Sequence, residues 1–401
     1  MMIDRLKIPV TMFLGGVLFC YSGYKAIRYF TYSTPPVAEI TGIINDGTYA
    51  GTVSGGIVAD NPYKINTVKV MLDGKPLVEK SIRSCRIDES FSLDTTKIQE
   101  GAHTLELVAD DTSHHHNMMR KQYQFNVDNV PLRVALDQAE YTVDQGKTLH
   151  IKAQANKKIA QASMGMLSSN YTLYPVADGS TCYECFIPIA TQERGQEGLF
   201  SVDIKDAVGN AIKLPCKVTI KPFEFPKQRG FTVSPEKLAQ EKEASMSSKI
   251  LNEALERWVK DSPKRKLWNG AFDFPVDVQR TSTPFGEIRV TPERGRYMHC
   301  GIDLISRPRS VVWAAQAGKV IIKDRFFLTG NTVVVDHGLG VFSLYAHLDS
   351  YADIEVGDII KKGNPVGTLG MTGYATGYHL HWELRINNVP VDPLEWTDKV
   401  F

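Results

Sequence analysis

The sequence predicts a mainly β chain in which helices are confined to the N-terminus and to one linker. Through most of its length, apolar residues alternate with polar ones in short runs separated by Gly, Pro, Asn and Asp, the pattern of strands joined by turns. Helical spacing of apolar residues occurs over about residues 234–262, and the run Ile8–Tyr24 carries no charge. Glycines are densest in the last third of the chain, which indicates many tight turns there.

Composition limits the class of protein. The chain has 401 residues, 43% of them hydrophobic and 23% charged, with a formal net charge of +1. These values are ordinary for globular domains, and the length predicts two to four of them. Because no large excess of positive charge exists, no nucleic-acid partner is implied.

The N-terminal segment 1–30 is interpreted as a membrane anchor, a single transmembrane helix. Its uncharged core, Ile8–Tyr24, is at the short end of what a bilayer span needs. No clean small-x-small cleavage site follows it, although a cleaved signal peptide and a buried helix remain alternatives. Basic residues flank the core on both sides: Arg5, Lys7, Lys25 and Arg28.

Two β-rich segments follow, residues 36–130 and 131–225. In the first, Asp73–Gly74 is a two-residue hairpin sequence. The absence of a convincing helical pattern in either segment predicts two β-sandwiches in series. The run Phe91–Asp110 of the first segment resembles bacterial immunoglobulin-like (Ig-like) modules, and the two segments together suggest a spacer.

The cysteines leave their pairing open. Four of the six lie in the middle of the chain and allow three disulfide pairings, and both structural disulfides and unpaired core thiols fit the pattern. Cys216 alternates with apolar residues, so it is expected to face a core. The four middle cysteines are Cys85, Cys182, Cys185 and Cys216.

Residues 234–262 are predicted to form an amphipathic linker helix. Ser234 is the predicted N-cap, and Pro235 suits the first helical position. This helix is expected either to pack its apolar face or to act as a lid or regulatory element over a site. The apolar positions at helical spacing are Leu238, Met246, Ile250, Leu251, Leu255 and Trp258.

The C-terminal segment 268–401 contains the strand that carries the chemistry, Gly377–Ile386. Its alternation places Leu380, Trp382, Leu384 and Ile386 on one face. The opposite face receives His379, His381, Glu383 and Arg385. Two imidazoles two residues apart on one strand face point the same way and can serve one metal site.

A second sequence, His299-Cys-Gly-Ile-Asp303, completes that site. The even offset between His299 and Asp303 is expected to keep both on one strand face, with Gly301 leaving room for an ion and Cys300 on the opposite face. Together with His381, this gives two imidazoles and one carboxylate. That is the ligand count of catalytic zinc sites, in which one coordination position stays open.

Three more histidines remain for chemistry or structure. His347 is expected to share a strand face with Tyr345, and His379 lies beside His381. Either imidazole can accept or donate a proton near neutral pH. His337 lies at a strand-to-turn boundary, so a structural hydrogen-bonding role is favoured for it.

The joint pattern resembles the lysostaphin-type (LytM-like) peptidoglycan metalloendopeptidases over roughly residues 274–393. The resemblance implies a compact antiparallel β domain, Zn²⁺ as cofactor, His299, Asp303 and His381 as zinc ligands, and His347 and His379 as catalytic residues. The segments that carry it include Phe274-Pro-Val, Thr281-Ser-Thr-Pro-Phe-Gly-Glu-Ile-Arg, His299-x-Gly-Ile-Asp-Leu, Ala314-Ala-Gln-Ala-Gly-Lys-Val, Gly330-Asn-Thr-Val-Val-Val-Asp-His-Gly, Tyr345-Ala-His-Leu, Gly370-Met-Thr-Gly and Thr376-Gly-Tyr-His-Leu-His-Trp-Glu-Leu-Arg.

The resemblance implies an endopeptidase that hydrolyses the peptide cross-links of peptidoglycan. With the anchor, it implies a single-pass protein of the inner cell membrane whose catalytic domain lies in the periplasm or extracytoplasmic space. The alternative function is a non-hydrolytic regulator that activates cell-wall amidases or organises division partners. A third hypothesis is an active enzyme kept latent by the linker helix or a sandwich domain.

Overall fold

The computed structural model describes residues 4–228, 235–291 and 295–401, and it describes side chains from Val17 onward except at 235–239 and 291. Strands greatly outnumber helices among the described residues, so the mainly β prediction is confirmed. The chain divides into two compact units, Met1–Pro131 with Ala207–Asn210, and Leu132–Asp206 with Ala211–Phe401.

The first unit is built on one connected sheet of six strands. The strand order is β1–β3–β5–β6–β2, and β4 also pairs with β3. Its apolar core includes Ile57, Val70, Leu105 and Phe125. The elements are α1 (Asp4–Thr31), β1 (Val37–Thr41), β2 (Gly47–Tyr49), β3 (Thr52–Leu72), β4 (Lys75–Asp94), a 3₁₀ turn (Thr95–Lys97), β5 (Gly101–Asp111) and β6 (Met118–Val127).

Strands β3 and β4 are much longer than the short strands that the sequence predicts. The predicted Asp73–Gly74 turn joins them, with positive φ at both residues, as a two-residue hairpin of this kind requires. The first half of β3 pairs with β1 and its second half with β5, and pairing with β4 shifts between Asp60 and Ile65. Pro62, which has no amide hydrogen, lies in that shift and interrupts the ladder.

Residues 1–30 were predicted to be a transmembrane anchor, and most of this segment lies in helix α1. Among the helices that the structure describes, none combines the length and the apolar character that a bilayer crossing demands. The side chains of residues 1–16 lie outside the described part.

The second β segment forms two sheets around one core, as a sandwich does. One sheet has the order β11–β10–β14–β15–β8, and the other has the order β12–β13–β9–β7. Ile151, Met164, Ile187 and Val202 are among the core residues. The strands are β7 (Val134–Leu136), β8 (Glu140–Asp144), β9 (Thr148–Ala155), β10 (Ile159–Met166), β11 (Ser169–Thr172), β12 (Tyr174–Pro175), β13 (Cys182–Pro188), β14 (Gln196–Asp206) and β15 (Ala211–Lys221).

The cysteines of this segment do not pair. Cys182, Cys185 and Cys216 form no disulfide, and Cys185 and Cys216 are buried in the sandwich core. Of the two alternatives left open by the sequence, unpaired core thiols therefore describe these two positions. Cys216 faces the core as predicted.

The C-terminal segment is organised around an eight-stranded sheet. Its order is β16–β19–β27–β23–β22–β21–β25, with β28 paired to β27, and the smaller sheets are β17–β18 and β20–β26–β24. The elements are α2 (Pro235–Asp261), β16 (Arg280–Thr283), β17 (Ile288–Thr291), β18 (Gly295–Met298), β19 (Ile302–Ile305), β20 (Val311–Trp313), β21 (Gly318–Phe326), β22 (Gly330–Asp336), β23 (Val341–Leu348), β24 (Ser350–Tyr351), β25 (Ile359–Ile360), β26 (Pro365–Thr368), β27 (Leu380–Ile386), β28 (Val389–Val391) and α3 (Pro393–Asp398).

Strand β27 is buried on both faces. Leu380, Trp382, Leu384 and Ile386 belong to the largest apolar core of the chain, as the alternation predicts. The other face of the sheet carries His381 and, on the neighbouring strand β23, a second apolar cluster with Leu344. The polar site and helix α2 therefore share one face of this sheet.

The sandwich and the C-terminal domain share part of one core. Phe186 of β13 packs against Trp396 of α3, with ring centroids 5.6 Å apart. The Glu395 carboxylate accepts the amide of Thr148 at 2.8 Å, and Lys147 pairs with Asp392 at 2.6 Å. These contacts join the two segments through buried apolar and charged groups.

Helix α2 packs on the polar-site face of the eight-stranded sheet. Leu251 and Leu255 are buried there against Leu344 and Phe342, and full burial of a leucine contributes about 1.5–3 kcal/mol relative to exposure. The predicted apolar face is partly wrong, because Met246 and Ile250 are exposed. Small residues take their place: Ala244 and Ser247 are buried on the packed face. The predicted N-cap Ser234 lies outside the described residues.

His337 has the structural role that the sequence favours. Its ring is fully buried, with Nδ1 2.7 Å from the Ala317 carbonyl and Nε2 2.7 Å from the Ser343 hydroxyl. Because a carbonyl only accepts, Nδ1 carries the hydrogen of a neutral ring. Burial lowers the pKa of His337 from 6.5 to about 4, despite the opposing hydrogen bond to Ala317.

We expect the C-terminal domain to lose stability as the pH falls from 6.5 to 4. The unfolded chain binds a proton at His337 more readily than the folded chain, so the stabilisation is complete above 6.5 and disappears toward 4. The difference between these values corresponds to about 3 kcal/mol in the free energy of unfolding. Denaturant titrations followed by tryptophan fluorescence at several pH values measure it. The His337→Gln variant, which cannot titrate, should have the shallower pH dependence, and equal slopes would contradict this assignment.

Candidate metal centre and active site

Three side chains from three different elements meet at one point. His299 follows β18, Asp303 lies in β19, and His381 lies in β27, directly opposite Asp303 in the antiparallel register. His299 Nε2 is 2.9 Å from His381 Nδ1 and 3.0 Å from Asp303 Oδ1, and His381 Nδ1 is 2.8 Å from Asp303 Oδ1. All three side chains are buried, so their polar atoms face one another rather than solvent.

The chemistry of these donors fits a zinc ion. Two imidazole nitrogens and one carboxylate oxygen form a ligand set of catalytic zinc sites. The outer nitrogens of both rings have oxygen partners: His299 Nδ1 is 3.1 Å from the Pro284 carbonyl, and His381 Nε2 is 2.8 Å from Glu383 Oε1. Such outer partners orient metal-binding histidines and leave the inner nitrogen free to bind.

The electrostatics of the cluster favour a cation. Burial acts to raise the pKa of Asp303, but hydrogen bonds from His299 and His381 outweigh it and hold the pKa well below its usual range. Burial acts to lower the pKa of His381, but the carboxylates of Asp303 and Glu383 outweigh it and raise the pKa to about 9. Two ionised carboxylates therefore lie within hydrogen-bond distance of one imidazole, and this negative field also attracts a metal ion.

Two further imidazoles border the cluster. The rings of His347 and His379 have centroids 4.7 Å apart, and His379 Nε2 is 3.8 Å from Asp303 Oδ1. His347 Nδ1 lies 2.8 Å from the Thr372 carbonyl, and His379 Nδ1 lies 2.9 Å from the Gly377 carbonyl. Since both carbonyls are acceptors, each Nδ1 carries the hydrogen, and each Nε2 is left as a proton acceptor.

Burial keeps both rings neutral. It lowers the pKa of His347 to about 3, and the nearby imidazoles of His379 and His381 act in the same direction because two protonated rings side by side would repel each other. Burial also lowers the pKa of His379, although the Asp303 carboxylate partly opposes this. A neutral imidazole with a free Nε2 can act as a general base without first losing a proton.

His347 reaches the site through a β-bulge. The β22–β23 register passes from Val333↔Tyr345 to Asn331↔Leu348, so Thr332 faces both Ala346 and His347. His347 has φ +59°, and its amide donates to the Thr329 carbonyl at 2.8 Å. A bulge of this kind redirects a side chain. The prediction that His347 shares a face with Tyr345 is therefore wrong: Tyr345 enters the main core, and His347 turns toward His381.

The His299–Asp303 segment also differs from its prediction. It is not one strand, because β18 ends at Met298 and β19 begins at Ile302. Cys300 consequently lines the same groove as His299 rather than facing away. Gly301 allows close packing, since a Cβ there would be 2.4 Å from the Trp382 carbonyl oxygen and 3.0 Å from His381 Cε1.

The histidines open into a groove of about 670 Å³. Arg280 and Ser282 of the edge strand β16 line one part of it, and Tyr297 of β18 contributes an aromatic side chain. Tyr374 and Tyr378 of the segment before β27 line another part. The groove thus presents aromatic and hydrogen-bonding groups beside His299, Asp303 and His381, a mixture typical of ligand-binding clefts.

The sequence interpretation left some site residues without a role. It placed Glu383 and Arg385 on the metal face by strand alternation, but gave neither a function. Arg385 Nε donates to Glu383 Oε2, and Arg385 Nη1 donates to Asn252 Oδ1 of α2 at 2.8 Å. No sequence pattern indicates Asn252, because it lies 133 residues from its partner.

Comparison with known proteins agrees with this geometry. Residues 297–393, which contain all five histidine and aspartate positions of the site, match the sequence model of peptidase family M23. The DD-carboxypeptidase/endopeptidase Mpg of Neisseria meningitidis is 38% identical over 127 residues, 31% of this chain and 29% of that protein. The peptidoglycan DD-endopeptidase ShyC of Vibrio cholerae is 33% identical over 120 residues, 30% of this chain and 28% of that protein.

The similarity to these curated relatives spans less than a third of their length. A crystal structure described as a candidate M23 peptidase from Pseudomonas aeruginosa is 25% identical, covers 63% of this chain and 94% of its own, and superimposes with a TM-score of 0.45. Over residues 297–393, the chain is therefore similar in sequence to peptidase family M23.

Proposed function

We propose that the C-terminal domain is a zinc-dependent endopeptidase that hydrolyses peptide cross-links of peptidoglycan. The observation that carries the proposal is the convergence of His299, Asp303 and His381 within 3.0 Å of one another, beside two neutral histidines. The substrate class is inferred from the relatives, which are named for endopeptidase activity and, in Vibrio cholerae, for peptidoglycan.

The residues divide into two roles. His299, Asp303 and His381 would hold the zinc ion, which when bound supplies Lewis acidity and lowers the pKa of water. His347 and His379 present a free Nε2 beside the ligands, so either can take a proton from an attacking water or return it to the leaving amine. Tyr297, Tyr374 and Tyr378 lie along the groove where a peptide would be held.

The proposal is tested by incubating the zinc-loaded full chain with purified peptidoglycan. We expect cross-linked muropeptides to be converted to uncross-linked ones, with glycan strands unchanged, as measured by mass spectrometry of the products. A chelator should stop the reaction, and added zinc should restore it. Cross-links that survive in the presence of bound zinc would overturn the proposal.

The alternative of a non-hydrolytic activator of amidases or division proteins is not favoured. A chain that acts only by binding needs none of the five site residues, whereas all five are present here and converge. No described contact favours an amidase partner.

We also propose that the chain is attached to the cell membrane by residues 1–30, with its catalytic domain on the extracytoplasmic side. The support is the uncharged run Ile8–Tyr24 and the location of the proposed substrate outside the membrane. Fractionation of cells that express the full chain tests this. Recovery in the cytoplasmic fraction would contradict it.

A further inference from the structure

A row of buried polar groups connects the metal ligand His381 to helix α2. His381 Nε2 lies 2.8 Å from Glu383 Oε1, and the second carboxylate oxygen of Glu383 accepts from Arg385 Nε at 2.5 Å. Arg385 then donates through Nη1 to Asn252 Oδ1 at 2.8 Å. The row therefore begins at the cluster of His299, Asp303 and His381 and ends on helix α2, outside the sheet.

Glu383 and Arg385 depend on these partners because they are buried. Glu383 is 4% exposed and Arg385 is 6% exposed. A buried ion pair is stable only where its geometry is good and its remaining hydrogen-bonding groups have partners. Asn252 and Asn388 supply such partners at Arg385 Nη1, at 2.8 and 2.9 Å. The direction of the guanidinium, and with it of the Glu383 carboxylate, is thus set partly by Asn252.

The position of Asn252 is in turn set by packing and by a turn. Leu251 beside it is buried against the sheet, as is Leu255 one turn later. Asn388 lies in the two-residue turn between β27 and β28, where both residues have positive φ. Its side-chain Nδ2 donates to the Asn252 carbonyl at 3.2 Å and to Glu256 Oε1 at 3.0 Å. Helix α2 and the end of β27 are therefore held in one arrangement.

We propose that Asn252 is a positioning residue for the metal site: through Arg385 and Glu383 it orients His381, so that docking of α2 increases the affinity of the site for zinc. The inference rests on the metal-dependent part of the proposed function. Orientation matters because an imidazole binds a metal ion only along its nitrogen lone pair, and the outer partner fixes that direction.

In this inference α2 has two roles: it covers part of the groove, and through Asn252 it helps to orient His381. Ser248 and Leu251 of α2 line the groove, which agrees with the hypothesis that the helix restrains activity. If α2 only covered the site, weakening its contacts would raise turnover and leave zinc affinity unchanged. Because Asn252 is connected to His381, we expect weakened contacts to reduce zinc affinity instead.

The test measures zinc affinity of the full chain by competition with a colorimetric chelator. Loss of an outer partner of a metal ligand typically costs about 10–100-fold in metal affinity, and this loss is expected for Glu383→Gln. Asn252 lies two contacts further from the metal ligand than Glu383 does, so Asn252→Ala is expected to cost about threefold to tenfold in zinc affinity, less than the loss of the direct outer partner. Asn252→Asp, which retains the acceptor for Arg385, should restore the affinity.

The matched control is Glu253→Ala, because Glu253 is the next residue of α2 and its side chain is exposed. The visible spectrum of the Co²⁺-loaded chain provides a second readout, since it reports ligand geometry. A changed spectrum in Asn252→Ala, with wild-type spectra in Asn252→Asp and Glu253→Ala, supports the inference. Wild-type affinity in Asn252→Ala, or equal losses in Asn252→Ala and Glu253→Ala, overturns it. If the wild-type chain binds no zinc, the proposed function fails as well.

Discussion

Replacing His381 by alanine is expected to abolish zinc binding and peptidoglycan hydrolysis together. The change removes one of three ligand atoms and leaves Asp303 and Glu383 without the imidazole that lies between their carboxylates. The effect should exceed the ~10–100-fold loss that follows removal of an outer partner, because a ligand itself is lost. Zinc content after dialysis and the rate of cross-link cleavage are the two measurements.

The control for this prediction is His115→Ala, which removes an exposed imidazole far along the chain from the site. It should leave zinc content and turnover at wild-type values. Circular dichroism of the His381→Ala chain shows whether its β structure is retained. A folded His381→Ala chain that still holds one equivalent of zinc would contradict the ligand assignment.

Replacing His347 by alanine is expected to leave zinc bound but to reduce turnover by about 10²–10⁴-fold, the usual contribution of a positioned acid or base. The reason is that His347 lies beside the ligand cluster without joining it, and its ring is neutral with a free Nε2. The pKa of about 3 for His347 also implies that its protonation does not limit the rate near neutral pH. Steady-state kinetics with zinc-saturated protein measure the loss.

His379→Ala provides the comparison for this prediction. If the two histidines act in one proton-transfer step, the double variant should lose little more than either single variant, since residues that act as a unit are not additive. Wild-type turnover in zinc-loaded His347→Ala would contradict the catalytic role. Loss of zinc from that variant would instead make His347 a ligand.

Strand alternation predicted correctly which side chains of β27 share a face. A period of two residues fixes which side chains share a face, so the apolar set of Trp382 and its neighbours and the polar set of His381, Glu383 and Arg385 could be separated from sequence alone. The same period failed at His347 and at His299, because a bulge and a break between strands lie there. Neither irregularity has a pattern that period counting detects.

Tertiary contacts decide which face of α2 is packed and which polar residue of the helix reaches the site. Met246 and Ile250 fit a helical face by spacing but are exposed, whereas Leu251 and Leu255 pack against Phe342 and Leu344 of the sheet. Asn252 could not be selected among the polar residues of the helix, since its partner is defined only when α2 docks. The side chains that converge at the site could be predicted from the sequence, whereas the contact between Asn252 and Arg385 could not.

The most direct test is the anomalous scattering of zinc in crystals of the zinc-loaded chain. The account predicts one peak enclosed by His299 Nε2, Asp303 Oδ1 and His381 Nδ1, the three atoms that lie within 3.0 Å of one another. No peak at this position, or a peak bound by other side chains while these three remain paired to one another, would contradict it.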